Sequence, residues 1–168
     1  MKVIFSHGQE SGPWGSKIKR LAALAESSGY TVDSVDYRGI AAPDDRVAIL
    51  QEILADEEGE IVLVGSSMGG YVSLAATEKF EASGIFLLAP ALFIPGYDRQ
   101  SFRLDHHRLE IVHGWADEII PNENSIRFAR EANATLHLIA GDHRLIDSLE
   151  TVMTLFSSFL DALMKKET

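Results

Sequence analysis

Short apolar runs and longer amphipathic stretches take turns along this 168-residue chain. The runs fall at about residues 2–6, 31–36, 60–65, 84–89, 109–113 and 135–139. They are rich in Val, Ile, Leu and Phe and alternate little with polar residues, which predicts strands covered on both faces. Helices are predicted between them, over 15–28, 44–57, 68–80, 122–132 and 144–164. Ile18, Leu21, Ala22 and Ala25 line one face of the first. Asp44 and Asp45 follow Pro43 into the first turn of the second, where acids suit the helix dipole. Asn122 is read as the N-cap of the fourth. In the last, Leu145, Leu149, Val152, Phe156, Phe159 and Leu163 recur at helical spacing, so that helix packs as a cover. Strand and helix in alternation give an α/β fold, a parallel sheet with helices on both faces, in one domain spanning 1–168. Segment 90–107, apolar and punctuated by Pro90 and Pro95, breaks the rhythm and is read as a short cap or pocket-lining loop.

The third strand runs straight into Gly65-Ser66-Ser67-Met68-Gly69-Gly70 and then a helix. A serine on a tight strand-to-helix turn is the arrangement of a nucleophile elbow. The turn forces strained backbone angles on Ser67, and Gly65 and Gly69 lack the side chains that would collide there, while Gly70 lets the helix start lie close to the strand. A serine needs a base, and the base an orienting acid. Position selects His143, in Gly141-Asp142-His143-Arg144 after the last strand, and Asp117, just past the fifth. Both loops open on the same sheet edge as the elbow, in the chain order serine, acid, histidine. Asp142 and Glu118 are the adjacent alternatives for the acid. His106 and His107 read as surface residues, His113 as structural and His137 as packed in a strand. The loop after the first strand, Ser6-His7-Gly8-Gln9, offers the Gln9 N–H to pair with that of Met68 as oxyanion donors. Trp14, Tyr37, Leu92, Phe93, Ile94 and Tyr97 are the candidates for an apolar substrate pocket.

Composition narrows the chemistry. A net charge of −10 disfavours phosphate backbones and anionic membranes, so neither nucleic acid nor a membrane is an expected partner. The chain has no cysteine, which excludes a disulfide framework, a thiol nucleophile and a Cys-based metal site. No apolar run reaches a bilayer-spanning length and the chain begins directly in a strand, so the expectation is a cytoplasmic protein, monomer or homodimer.

Taken together, Ser6-His7-Gly8, Asp36-Tyr37-Arg38-Gly39, the elbow, His113-Gly114-x-x-Asp117-x-x-x-Pro121 and Gly141-Asp142-His143 resemble the α/β-hydrolases of the small bacterial esterase or thioesterase kind. The resemblance implies a reduced six-stranded sheet of order 2-1-3-4-5-6, a minimal cap, a triad on Ser67, Asp117 and His143, and an oxyanion N–H on Gln9. It further implies a serine hydrolase of small to medium esters or thioesters, working without metal or organic cofactor. Amide or C–C bond hydrolysis, acyl transfer to another acceptor, and a non-catalytic ligand- or partner-binding role on the same scaffold are the alternatives. Dehalogenation is disfavoured, because it needs a carboxylate where Ser67 stands.

Overall fold

The structure, a computed structural model, describes residues 1–165. Six strands form one parallel sheet: β1 (Lys2–Ser6), β2 (Thr31–Val35), β3 (Ile61–Ser66), β4 (Gly84–Leu88), β5 (Leu109–Gly114) and β6 (Thr135–Ile139), in the order β2-β1-β3-β4-β5-β6. Five helices connect them: α1 (Ser16–Ser27), α2 (Pro43–Asp56), α3 (Met68–Ala76), α4 (Asn122–Ala132) and α5 (Leu149–Met164). The α/β architecture and strand order are those expected.

The two-residue period of a strand sorts its side chains between two cores. Val3 and Phe5, Val62 and Val64, and Phe86 and Leu88 face α1 and α5, where Leu21, Val152, Phe156 and Phe159 meet them. Ile4, Leu63, Ile85, Leu87 and Ile111 face the opposite way, onto α2, α3 and α4 through Leu50, Tyr71, Val72 and Phe128. Phe86 lies 5.1 and 5.2 Å, centroid to centroid, from Phe156 and Phe159, which are fully buried. Burying each such ring contributes about 1.5–3 kcal/mol. Among the described residues no helix is long and apolar enough to cross a membrane.

Three local expectations are corrected. The last helix begins at Leu149, not 144. Asp142 Oδ1 accepts the N–H groups of Arg144 and Leu145 at 3.0 and 3.1 Å, and Leu145 takes a φ of 58°, so the apolar spacing of Leu145 belongs to a loop. Asn122 is the first residue of α4 and makes no cap bond; its Nδ2 turns back toward the carbonyls of Gly114 and Trp115. The elbow helix stops at Ala76, where Thr77 bonds back to the Leu74 carbonyl at 2.6 Å.

Segment 90–107 contains no helix. It is held as an irregular strap with Phe93, Tyr97 and Phe102 packed against the α2–α4 core. Phe102 contacts Tyr71, Phe93 and Phe128 edge-on, at 5.8–5.9 Å. Arg99 forms ion pairs with Asp44 and Glu78, Asn124 Nδ2 donates to the Leu92 carbonyl at 2.9 Å, and the Arg127 guanidinium covers the Phe93 ring at 3.8 Å.

Candidate active site

Parallel strands deliver all their carboxyl ends to one sheet edge, and the loops leaving β1, β3, β5 and β6 meet there. At the end of β3, Ser67 has φ 55° and ψ −120°, a strained conformation that costs about 1–3 kcal/mol for a side-chain-bearing residue. Hydrogen bonds hold it: its N–H donates to Leu88 O at 2.9 Å, and its carbonyl accepts from Gly70 and Ala91, each at 2.9 Å. The crossing of α3 over the sheet is equally tight. A Cβ on Gly69 would sit 2.7 Å from His7 O and closer still to Ser6 O, so it is Gly69 that lets the helix lie against β1. Gly70 instead faces Pro90, on the strap side.

His143 and Asp117 meet this serine. His143 Nε2 lies 3.0 Å from Ser67 Oγ, and His143 Nδ1 lies 2.7 Å from Asp117 Oδ2. The carboxylate only accepts, so the proton of a neutral His143 resides on Nδ1 and Nε2 is left to accept from the hydroxyl. Asp117 Oδ1 accepts the N–H groups of Ile119 and Ile120 at 2.9 and 2.8 Å, and its side chain is fully buried. Burial pushes its carboxyl up, but the bonds from His143, Ile120 and Ile119 outweigh that and hold it below the usual carboxylate range. Glu118 is exposed, and the Asp142 carboxylate caps its own loop, so neither alternative acid reaches His143.

The β1 loop lies beside the serine, since a Cβ on Gly8 would be 3.5 Å from Ser67 Cβ. Its conformation is fixed from behind. The buried His7 accepts the Tyr37 N–H at Nε2 (2.9 Å), so Nδ1 carries the proton and donates to the Gly8 carbonyl at 2.7 Å. Burial holds the His7 imidazole below its ordinary pKa, in keeping with a neutral ring. The buried Arg46 of α2 donates through Nη1 to the same carbonyl at 3.3 Å and through Nε to Ile40 O at 2.7 Å. Within one planar peptide the C=O of Gly8 and the N–H of Gln9 point opposite ways. Pinning the carbonyl inward therefore turns the Gln9 N–H outward. Among the described residues, neither the Gln9 nor the Met68 N–H has a hydrogen-bond acceptor.

Of the pocket candidates, Tyr37 and Leu92 are fully buried and belong to the core, Tyr37 with its hydroxyl 3.0 Å from Ser6 Oγ. Phe93, Ile94 and Tyr97 are half-buried in the strap, and Trp14 is 43% exposed on the β1 loop. Trp115, Ile119 and Ile146, at 61%, 69% and 45% exposure, stand on the β5 and β6 loops of the same edge. They were not singled out from sequence, although Trp115, Ile119 and Ile120, three bulky apolar residues between Gly114 and Pro121, were a usable signal. His113 touches Asp117 as well (Nε2 to Oδ2, 2.9 Å) and was missed in any role beyond structure. His137 pairs instead with the buried Glu110 at 2.9 Å, and His107 with Glu81 at 2.8 Å, while His106 is half-buried rather than on the surface. A cavity of about 200 Å³ between 104–109 and 132–135 opens at the amino ends of β5 and β6, on the edge opposite Ser67. Among the described residues no group of three His, Asp or Glu side chains is placed to hold a metal ion.

None of the curated proteins compared with the chain matches it. Among solved structures, a Xanthomonas campestris pv. campestris protein assigned to the α/β superfamily of hydrolases is 31% identical, with 96% of this chain and 98% of that one covered and a TM-score of 0.86. Est1E from Butyrivibrio proteoclasticus (20% identity, 98% and 88% covered, TM-score 0.82) shares the fold. So does a monoacylglycerol lipase from Paleococcus ferrophilus (16% identity, 94% of each chain covered, TM-score 0.72). The model of the α/β hydrolase family matches residues 3–163, nearly the full length, and the chain belongs to that family.

Proposed function

We propose that this hydrolase is a serine hydrolase that cleaves carboxylic esters or thioesters of small to medium acyl groups through an acyl-Ser67 intermediate. The observation that carries the reading is the unbroken hydrogen-bond line from Ser67 Oγ through His143 to Asp117. His143 Nε2 takes the hydroxyl proton as Oγ attacks the acyl carbon. The buried Asp117 fixes the imidazole tautomer and stabilises the imidazolium. The Gln9 and Met68 N–H groups bind the developing oxyanion, the Met68 donor reinforced by the start of α3. His143 then returns the proton to the departing alkoxide or thiolate, and a water activated by the same ring releases the acid. The apolar rim of Trp14, Trp115, Ile119 and Ile146 suits the uncharged part of such a substrate. Est1E and the lipase from Paleococcus ferrophilus, whose names denote ester chemistry, fit the same reading.

The test is Ser67→Ala assayed on p-nitrophenyl acetate and butyrate, with an expected loss of about 10³-fold or more. A fluorophosphonate should label wild type at Ser67 and leave the variant unlabelled. Retention of the wild-type rate by the variant would overturn the assignment. Esters and acyl thioesters graded by chain length then separate leaving group from acyl preference.

A further inference from the structure

Asp117 Oδ2 takes two imidazoles, not one: His143 Nδ1 at 2.7 Å and His113 Nε2 at 2.9 Å. His113 lies on β5 and is fully buried. Its Nε2 faces a second acceptor, the Ile120 carbonyl at 3.1 Å, while its Nδ1 lies 2.7 Å from Ser125 Oγ on α4. Two acceptors at Nε2, one of them a carboxylate, require that nitrogen to carry the proton. Nδ1 of the neutral ring then accepts from the Ser125 hydroxyl. One continuous line results, Ser125 to His113 to Asp117 to His143 to Ser67.

Resting on the serine-hydrolase reading, we infer that His113 is a positioning residue for the triad acid: its Nε2–H holds Asp117 Oδ2 toward His143 and draws part of the carboxylate's charge away from it. With Ile119 and Ile120 on Oδ1, the second imidazole completes a carboxylate held by four donors. The acid keeps its orientation without access to water, and the pull it exerts on the His143 proton is moderated. Burial also disfavours the charged form of His113, which suits a ring that donates without titrating. Of the other charged groups on the elements packed here, Glu118, Glu123, Arg127, Arg130, Glu131, Asp142, Arg144 and Asp147 are exposed, Glu110 pairs with Arg108 and His137 near the amino end of β5, and Lys17 of α1 donates through Nζ to the Arg144 carbonyl at 3.0 Å. All of them stay in place in the variants compared below.

Two substitutions separate positioning from packing. In His113→Gln the amide nitrogen falls near the position of Nε2 and keeps the donor. In His113→Asn the shorter amide reaches only toward Ser125. Loss of the donor leaves more negative charge facing His143, favours its protonated form and moves the acid limb of kcat/KM upward. For His113→Asn the expected shift is about 0.5–1 pH unit, roughly half the size of one hydrogen bond to a charged group because the lost bond reaches His143 only through Asp117, with kcat down about tenfold and KM little changed. For His113→Gln the acid limb should stay within about 0.2 unit of wild type. Equal behaviour of the two variants, or an unmoved acid limb in a folded His113→Asn, would overturn the inference. If His113→Asn fails to fold, nitrogen-15 spectra of the wild-type histidine rings decide the matter. A neutral His113 protonated at Nε2 at pH 7 supports the role, and a proton at Nδ1 or a doubly protonated ring ends it. Absence of Ser67-dependent turnover in wild type would defeat the hydrolase reading by itself, and those spectra would still judge His113.

Discussion

Replacing Gly69 by alanine adds one methyl group where α3 crosses the end of β1. Its carbon would lie 2.7 Å from His7 O and nearer still to Ser6 O, whereas ordinary contact begins near 3.4 Å. The two elements must part by more than about 1 Å, judged from the overlap with Ser6 O. Neither yields easily. Ser6 is paired in the sheet on both sides, with Val35 and Gly65, and the first turn of α3 is anchored by the Ser67 N–H on Leu88 O. Overpacking of this kind costs about 1–3 kcal/mol, which in a chain of this length lowers Tm by about 2–12 °C. The same displacement carries the Gln9 loop away from Ser67, and a misplacement of about 1 Å in a reacting constellation costs about 10²-fold in rate. The assay pairs kcat/KM on p-nitrophenyl acetate with a thermal melt. Gly15→Ala, at the N-cap of α1, is the control, since the nearest atom to its added carbon is 4.0 Å away and the only cost is that of the poorer cap, at most about 1 kcal/mol and remote from Ser67. A Gly69→Ala protein within twofold of wild-type activity and about 1 °C of its Tm would show that this contact does not govern the site.

Two further outcomes are expected. Arg46→Met removes the buried cation behind the Gly8 carbonyl but leaves the His7 bond, so kcat should fall about tenfold, part of what loss of a whole oxyanion donor costs, with KM little changed. A rise in KM at constant kcat would place Arg46 outside oxyanion positioning. Stability should fall on acidification from pH 7.5 to 5.5, followed by thermal melts. Burial lowers the pKa of His7 and His113 in the folded state, so the unfolded chain binds the extra protons as pH drops below about 6.5. Their contribution is fully present above that value and is lost as pH falls toward the folded-state pKa values; a Tm constant or rising over this range would refute it.

The strands were legible because burial on both faces leaves uninterrupted Val, Ile, Leu and Phe runs, and the elbow because Gly65 answers to Gly69 and Gly70, within a few residues of Ser67. What the pattern concealed depends on long-range packing. Leu145 falls on the apolar stripe of α5, yet the Asp142 carboxylate and a left-handed backbone keep it out of the helix. Arg46, in the first turn of α2, is buried because the β1 loop and the segment after β2 close over its guanidinium. Tyr37 and Leu92, read as candidate pocket residues, are fully buried in the core beneath the site. His113 read as structural only; the four-residue step to Asp117 was the overlooked cue, since a loop that turns back at Gly114 brings the two side chains together.

The strap over 90–107 is pinned to α2, α3 and α4 at once, and its Ala91 N–H is bonded to the Ser67 carbonyl itself. Swinging it aside would break ion pairs, uncover an aromatic cluster and disturb the serine in the same motion. The strap is therefore a fixed brace for the serine and not a hinged door. On the proposed serine-hydrolase reading, closure of this segment would add little to the choice among substrates.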